Sequence, residues 1–252
     1  MRSWLLVSGA PPYTADAADF DGTNDYMTRG AALTGIADDP QGIFSCWVRF
    51  DGGNGVQQRL MSSGGVWTVY KSAADKIFFE VTGDPAGLFS ATCDTTPLTS
   101  GTAWHHIGLS WDMNFSAGNK LFSAYIDGTS QAVTKTDADA AFTCNYNSAT
   151  DFGVGANVVG TAKVDGVLAE YYFNTVTYLD LSTNLTLFRS SGGNFVNLGA
   201  DGSTPTGSQP IVYQRVATGA AVSTFATNLG SGGNLTITGT LDAVTPPTPP
   251  NN

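Results

Sequence analysis

Trp104-His105-His106-Ile107-Gly108-Leu109-Ser110-Trp111-Asp112 alternates in the way a half-buried strand must. Ile107, Leu109 and Trp111 point to one face, while His106, Gly108 and Ser110 point to the other. Residues 121–127 form the next strand candidate and run into Asp127-Gly128, a hairpin dipeptide whose two positions both favour positive φ. Upstream, residues 43–51 repeat the alternation: Phe44, Cys46, Val48 and Phe50 lie opposite Ser45, Trp47 and Arg49.

Further strand signals fall at residues 59–62, 66–71, 76–82, 152–155 and 164–173, separated by Gly, Asn and Asp clusters. In the last of these, Val167, Ala169, Tyr171 and Phe173 are expected on one face, opposite Leu168, Glu170 and Tyr172. One short helix is expected where Leu181, Leu185 and Phe188 fall at helical spacing, with Asp180 or Ser182 as N-cap and Gly192 beyond the end.

Composition agrees with an all-β chain. Of 252 residues, 42% are hydrophobic and only 13% charged, and straight-chain helix formers are scarce. The net charge of −10, with Lys and Arg totalling 11 and scattered singly, argues against nucleic acid and anionic membranes as partners. No stretch approaches the roughly 20 apolar residues of a membrane span. The opening Met1-Arg2-Ser3-Trp4-Leu5-Leu6-Val7 has an apolar run shorter than the roughly 7–15 residues of an export signal core, so a leader is not expected. Cys46, Cys93 and Cys144 suit neither a zinc site nor a disulfide framework and are expected as buried free thiols.

The expected organisation is an N-terminal arm (1–16), a sandwich ending in the short helix (17–191), a smaller β-rich region (192–244) and a Pro-rich tail (245–252). Two similar passages, Gly192-Gly193-Asn194-Phe195 and Gly232-Gly233-Asn234-Leu235, bracket the strand-like residues 210–215.

Several segments together resemble the laminin-G/pentraxin family of concanavalin-A-like sandwiches. They are Phe20-Asp21-Gly22-Thr23-Asn24-Asp25-Tyr26-Met27, Phe44-Ser45-Cys46-Trp47-Val48-Arg49-Phe50, the Trp104–Asp112 strand, Tyr125-Ile126-Asp127-Gly128, Phe152-Gly153-Val154-Gly155, and the strand from Asp165 to Phe173. The resemblance implies a jelly roll of two antiparallel sheets. After residue 175, the helix, the run from Asn197 to Gly207 and the Gly232–Gly239 passage are similar to structural proteins of tailed bacteriophages carrying this sandwich. That implies a virion surface protein (capsid decoration, spike or fibre) made without a signal peptide. Its implied partners are other virion proteins and cell-surface glycan, and its implied assembly is a homo-oligomer, a trimer by analogy. The rival is a secreted bacterial carbohydrate-binding module or adhesin.

Catalysis finds no support in the residues. All but two of the 21 acids are Asp. The two glutamates, Glu80 and Glu170, have no second acid two positions away, and Asp165 lies at an odd spacing from Glu170. His105 and His106 are adjacent on a strand and face opposite ways. No catalytic residue is assigned. By the resemblance, a calcium ion would be held by Asp21, Asn24, Asp25 and Asp165, whose hard oxygens suit that ion; turn capping is the other reading of the same residues. Trp67, Tyr70 and Tyr146 are of the type that stacks on sugar rings. Core packing is the alternative, and Tyr146, between two asparagines, is expected to be the most exposed.

Overall fold

Alternating segments become strands because only a sheet lets every second side chain leave water while the backbone stays paired. A computed structural model describes residues 13–84, 87–94, 97–116, 119–137, 141–175 and 178–245. The expected Pro-rich tail after Thr245, and the arm before Tyr13, lie outside the described residues.

In chain order the strands are β1 (Ala15–Asp21), β2 (Tyr26–Thr28), β3 (Gln41–Phe50), β4 (Gln58–Ser63), β5 (Trp67–Lys71) and β6 (Ile77–Asp84). They continue as β7 (Gly87–Cys93), β8 (His105–Ser116), β9 (Asn119–Ile126), β10 (Thr129–Ser130), β11 (Val133–Asp137) and β12 (Thr143–Cys144). The last are β13 (Gly153–Val154), β14 (Asp165–Asn174), β15 (Val212–Gln214), β16 (Val216–Ala217), β17 (Thr236–Thr238) and β18 (Asp242–Val244).

Two antiparallel sheets face each other. Sheet 1 runs β10-β9-β8-β3-β14-β1-β16, with β15 on β14 and β18 on β1. Sheet 2 runs β11-β7-β6-β5-β4-β13-β2-β17, with β12 on β6. Between them lie Phe44, Trp111 and Phe173 from sheet 1 against Trp67, Phe79 and Phe89 from sheet 2. Phe79 and Trp111 meet at 4.4 Å between ring centroids, and Trp67 stacks on Phe173 at 5.8 Å. Each such ring contributes about 1.5–3 kcal/mol by leaving water. Gly42 lies beneath the Trp111 ring; a Cβ there would come within 2.3 Å of Trp111 Cζ2.

The alternation expected for residues 43–51 and 104–112 holds: Phe44, Cys46, Val48, Phe50, Ile107, Leu109 and Trp111 all enter this core. The three cysteines are free and buried. Asp127 and Gly128 take φ of 52° and 84° at the β9–β10 hairpin, as their identities require. The helix forms as α1 (Leu181–Asn184), with Asp180 accepting the Ser182 amide as N-cap, and runs on as a 3-10 turn.

One expectation is corrected. In β14 a bulge sets Glu170 and Tyr171 opposite the single residue Cys46, and Glu170 adopts a left-handed φ of 46°. The phase shifts there. Leu168, Tyr171 and Phe173 point into the main core, whereas Val167, Ala169 and Tyr172 point outward. The strands of the β-rich region after residue 192 join both sheets: β15 on β14, β16 and β18 on β1, and β17 on β2.

The outer face of sheet 1 is roofed by the later part of the chain. Ile43 and Tyr172 pack under Leu181, Phe188 and Leu198, while Trp47 meets Phe195 edge-on at 4.9 Å.

Candidate functional site

Both smaller apolar clusters lie on sheet 1, so the side chains that sheet 2 turns outward face no such layer among the described residues. Strand register orders them into two rows. One row is Arg59, Tyr70, Phe78, Thr92 and Thr134 across β4, β5, β6, β7 and β11; the other is Ser62, Thr68, Glu80, Ser90 and Thr136. Tyr70 and Phe78 are half-buried, with ring centroids 4.7 Å apart and planes tilted by 32°. The Arg59 guanidinium sits 5.3 Å over the Tyr70 ring and donates to Thr68 Oγ1 at 2.9 Å. Partial burial, with Glu80 nearby, raises the Tyr70 phenol above its usual value, so its hydroxyl stays neutral and can both donate and accept. The face thus offers two half-buried aromatic rings, the hydroxyls of Thr92, Thr134 and Thr136, one cation and one carboxylate, while Ser62, Thr68 and Ser90 are buried.

Of the three aromatics singled out from the sequence, Tyr70 alone reaches this surface. Trp67 points inward between Tyr146 and Phe173, only 2% exposed. Tyr146 corrects the expectation of exposure. It begins a 3-10 turn (Tyr146–Ser148) that plugs the core, where its Oη accepts from Trp111 Nε1 at 2.7 Å and donates to the Gln41 carbonyl at 3.0 Å. Fully buried rings offer no face to a sugar. Sequence reasoning passed over Phe78 and Arg59 and weighed Glu80 only as a catalytic acid, although two adjacent phenylalanines in a strand, Phe78 and Phe79, must face opposite ways.

The residues expected to hold calcium divide. Asp21 and Asp165 are opposite each other at the end of the β1–β14 pair, beside Asp51; burial and these two neighbours raise the Asp165 carboxyl. Asp21 Oδ1 already accepts the amides of Thr23, Asn24 and Asp25, at 2.8, 2.9 and 3.2 Å, which hold its carboxyl low. Asp25 is buried and turned the other way, its oxygens taking the Asp21 amide at 3.2 Å and the Thr240 amide at 2.7 Å. No group of three or more His, Cys, Asp or Glu side chains among the described residues is placed to hold a metal ion. Asp21 and Asp25 shape the turn through these backbone amides.

The two glutamates lie on different sheets. Glu80 is on the outer face of sheet 2, and Glu170 is buried in sheet 1 with 2% exposure. His106 is buried against Trp47 with Ser45 Oγ 2.9 Å from its Nε2, while His105 turns to Asp127. The Asp127 carboxylate, with His105, Ile126, Leu98 and Thr129, lines a shallow cleft at the hairpin end.

The sequence profile of the concanavalin A-like lectin/glucanases superfamily matches residues 21–178, more than half of the chain. The chain belongs to that superfamily. Among solved structures it is similar to a Bacteroides ovatus protein to which carbohydrate binding has been ascribed, with TM-score 0.63 and 16% identity over 95% of this chain. The chain spans 62% of that protein's length. It is also similar to the heptameric SAP-like pentraxin of Limulus polyphemus, with TM-score 0.53 and 10% identity, covering 96% of this chain and 100% of the pentraxin. At these identities the likeness is one of fold. A search of curated proteins found no match.

Proposed function

We propose that the chain is a non-catalytic carbohydrate-binding module that takes glycan on the outer face of sheet 2. The observation that carries this reading is the half-buried Tyr70–Phe78 pair on the outer face of sheet 2, beside the hydroxyls of Thr92, Thr134 and Thr136. Such a surface suits a ligand whose ring faces are apolar and whose edges bear hydroxyls, because a few polar groups then orient an otherwise apolar contact. Membership of a lectin-containing superfamily and the fold shared with the Bacteroides ovatus protein support it.

Affinity electrophoresis against a panel of neutral and acidic polysaccharides tests the proposal. The wild-type chain is expected to be retarded by at least one of them. Tyr70→Ala and Phe78→Ala should each weaken that retardation about tenfold, the equivalent of about 1.4 kcal/mol, with unchanged circular dichroism. A wild-type chain retarded by none would overturn the function, and unaffected variants would overturn the site.

The virion-surface role rests on the resemblance of the segment after residue 175, as does trimeric assembly. There, many copies would add avidity to a weak glycan contact. Light scattering on the purified chain and proteomics of particles test it: a discrete oligomer present in stoichiometric amounts in particles is its expected outcome.

A further inference from the structure

Glu80 stands beside the two rings on the outer face of sheet 2. It lies two residues from Phe78 on the same face of β6, about 7 Å along the strand, and diagonally across the β5–β6 pair from Tyr70. Its side chain is neither fully buried nor fully exposed, and no hydrogen bond or ion pair engages it among the described residues. Both carboxylate oxygens are therefore open as acceptors.

Arg59, directly across from Tyr70 on β4, is already engaged. Its guanidinium lies over the Tyr70 ring, its Nη1 donates to Thr68 Oγ1, and its Nε is buried. Within the two rows Arg59 is the one cation and Glu80 the one anion, so the cation is occupied in holding the ring and the anion is free.

Electrostatics then sort the ligands. A sugar hydroxyl donates to a free carboxylate in a charge-assisted bond, roughly twice as strong as a neutral one, and two adjacent hydroxyls can take both oxygens. A glycan carrying its own carboxylates or sulfates would set that charge against Glu80, in a chain with 21 acids against 11 Lys and Arg. With Arg59 committed to Thr68 and Tyr70, no other cation in these rows offsets the repulsion.

We propose that this face selects neutral, hydroxyl-rich glycans, with Glu80 as the specificity-determining acceptor for adjacent hydroxyls of a sugar lying against Tyr70 and Phe78. The proposal rests on the glycan-binding reading of the same face.

Affinity gels of the full chain test it with three neutral probes (mixed-linkage β-glucan, galactomannan and arabinoxylan) and two acidic ones, alginate and polygalacturonate. Each gel is run at low salt and at about 0.5 M sodium chloride, which screens attraction between exposed charges. The wild-type chain is expected to be retarded by a neutral probe, equally at both salt levels, and by neither acidic one. Glu80→Gln should weaken that retardation about tenfold or more, as the loss of a charge-assisted hydrogen bond does. Retardation by an acidic probe, alone or beside a neutral one, overturns the selectivity and leaves the binding face standing. Retardation by none overturns both. A Glu80→Gln chain that binds like the wild type, while Tyr70→Ala does not, removes Glu80 from the site and keeps the face. Should Glu80→Gln fail to fold, the carbon-13 signal of the Glu80 carboxyl in the wild type decides. A shift on adding oligosaccharides of the retarding probe supports the proposal, and an unmoved signal sinks it.

Discussion

Asp127 grips both histidines of the β8 strand: its Oδ2 lies 2.7 Å from His105 Nδ1, and its Oδ1 accepts the His106 amide at 2.8 Å. The grip depends on the turn. The φ of 52° at Asp127, followed by Gly128 at 84°, brings this hairpin carboxylate back over the neighbouring strand. Burial alone would raise the Asp127 carboxyl, but the His105 and His106 hydrogen bonds and the charges of His105 and Arg189 outweigh it and hold the value low. The stabilisation is therefore present above the ordinary carboxylate range and is lost as pH falls below it. Asp127→Ala removes both bonds and the turn preference, and should cost about 1–3 kcal/mol in urea unfolding. Asp127→Asn, which tolerates left-handed φ, should cost less.

A second carboxylate secures the loop between β3 and β4. Lys71, fully buried, bonds Asp75 and also donates to the Gly53 carbonyl at 2.9 Å, while Asp75 accepts the Gly55 amide. Asp75→Ala leaves a buried ammonium without its anion and should cost about 3–5 kcal/mol, as such unpaired charges do. Calorimetry of Asp75→Ala beside Lys71→Met should show the former as the more damaging change.

Tyr146 and Tyr70 should part company on mutation. Tyr146→Phe strips the acceptor from buried Trp111 Nε1 and should lower stability by about 1–3 kcal/mol without altering glycan retention. Tyr70→Ala should do the reverse. Unfolding curves and affinity gels on the same pair of variants check both halves.

Calcium should leave the chain unchanged. Since Asp21 and Asp25 already serve backbone amides, millimolar calcium is expected to shift the melting temperature by nothing measurable. Saturation of a real site at a hundredfold excess over Kd would add about 2.7 kcal/mol and a clear rise.

His106 and Glu170 should pull the pH profile in opposite directions. Burial, helped by the charge of Arg189 and opposed by Asp127, drops the His106 imidazole from 6.5 to about 3. The unfolded chain binds the proton that the native imidazole refuses, so stability from this group is lost as pH falls from 6.5 towards 3. Glu170 loses stability in the other sense, as pH rises from 4.5 to about 7. His106→Gln should therefore unmask a stability that declines with rising pH, and Glu170→Gln one that declines with falling pH. Denaturant midpoints at half-unit pH steps read both slopes.

The sequence by itself determined the strands whose alternation is local. Residues such as Phe44 and Phe50, or Ile107 and Trp111, sort to one face because a strand's period of two leaves them no other arrangement. Asp127-Gly128 likewise specified its hairpin through backbone sterics alone. The tertiary structure decided what depends on distant partners. Strands β15 to β18 have two or three residues each, too few for a period to show, and exist because β14, β1 and β2 offer open edges. The bulge at Glu170, which reversed the facing of Tyr171 and Tyr172, arises where one neighbour of β14 gives way to another. Tyr146, polar-flanked and loop-like in sequence, is buried because Trp111 and the Gln41 carbonyl satisfy its hydroxyl from elements more than 30 residues away. The Tyr70 ring stays half-buried because, among the described residues, the later chain lays its apolar layer on sheet 1, where Tyr172, Ile43 and Trp47 present apolar surface, and lays none on the outer face of sheet 2.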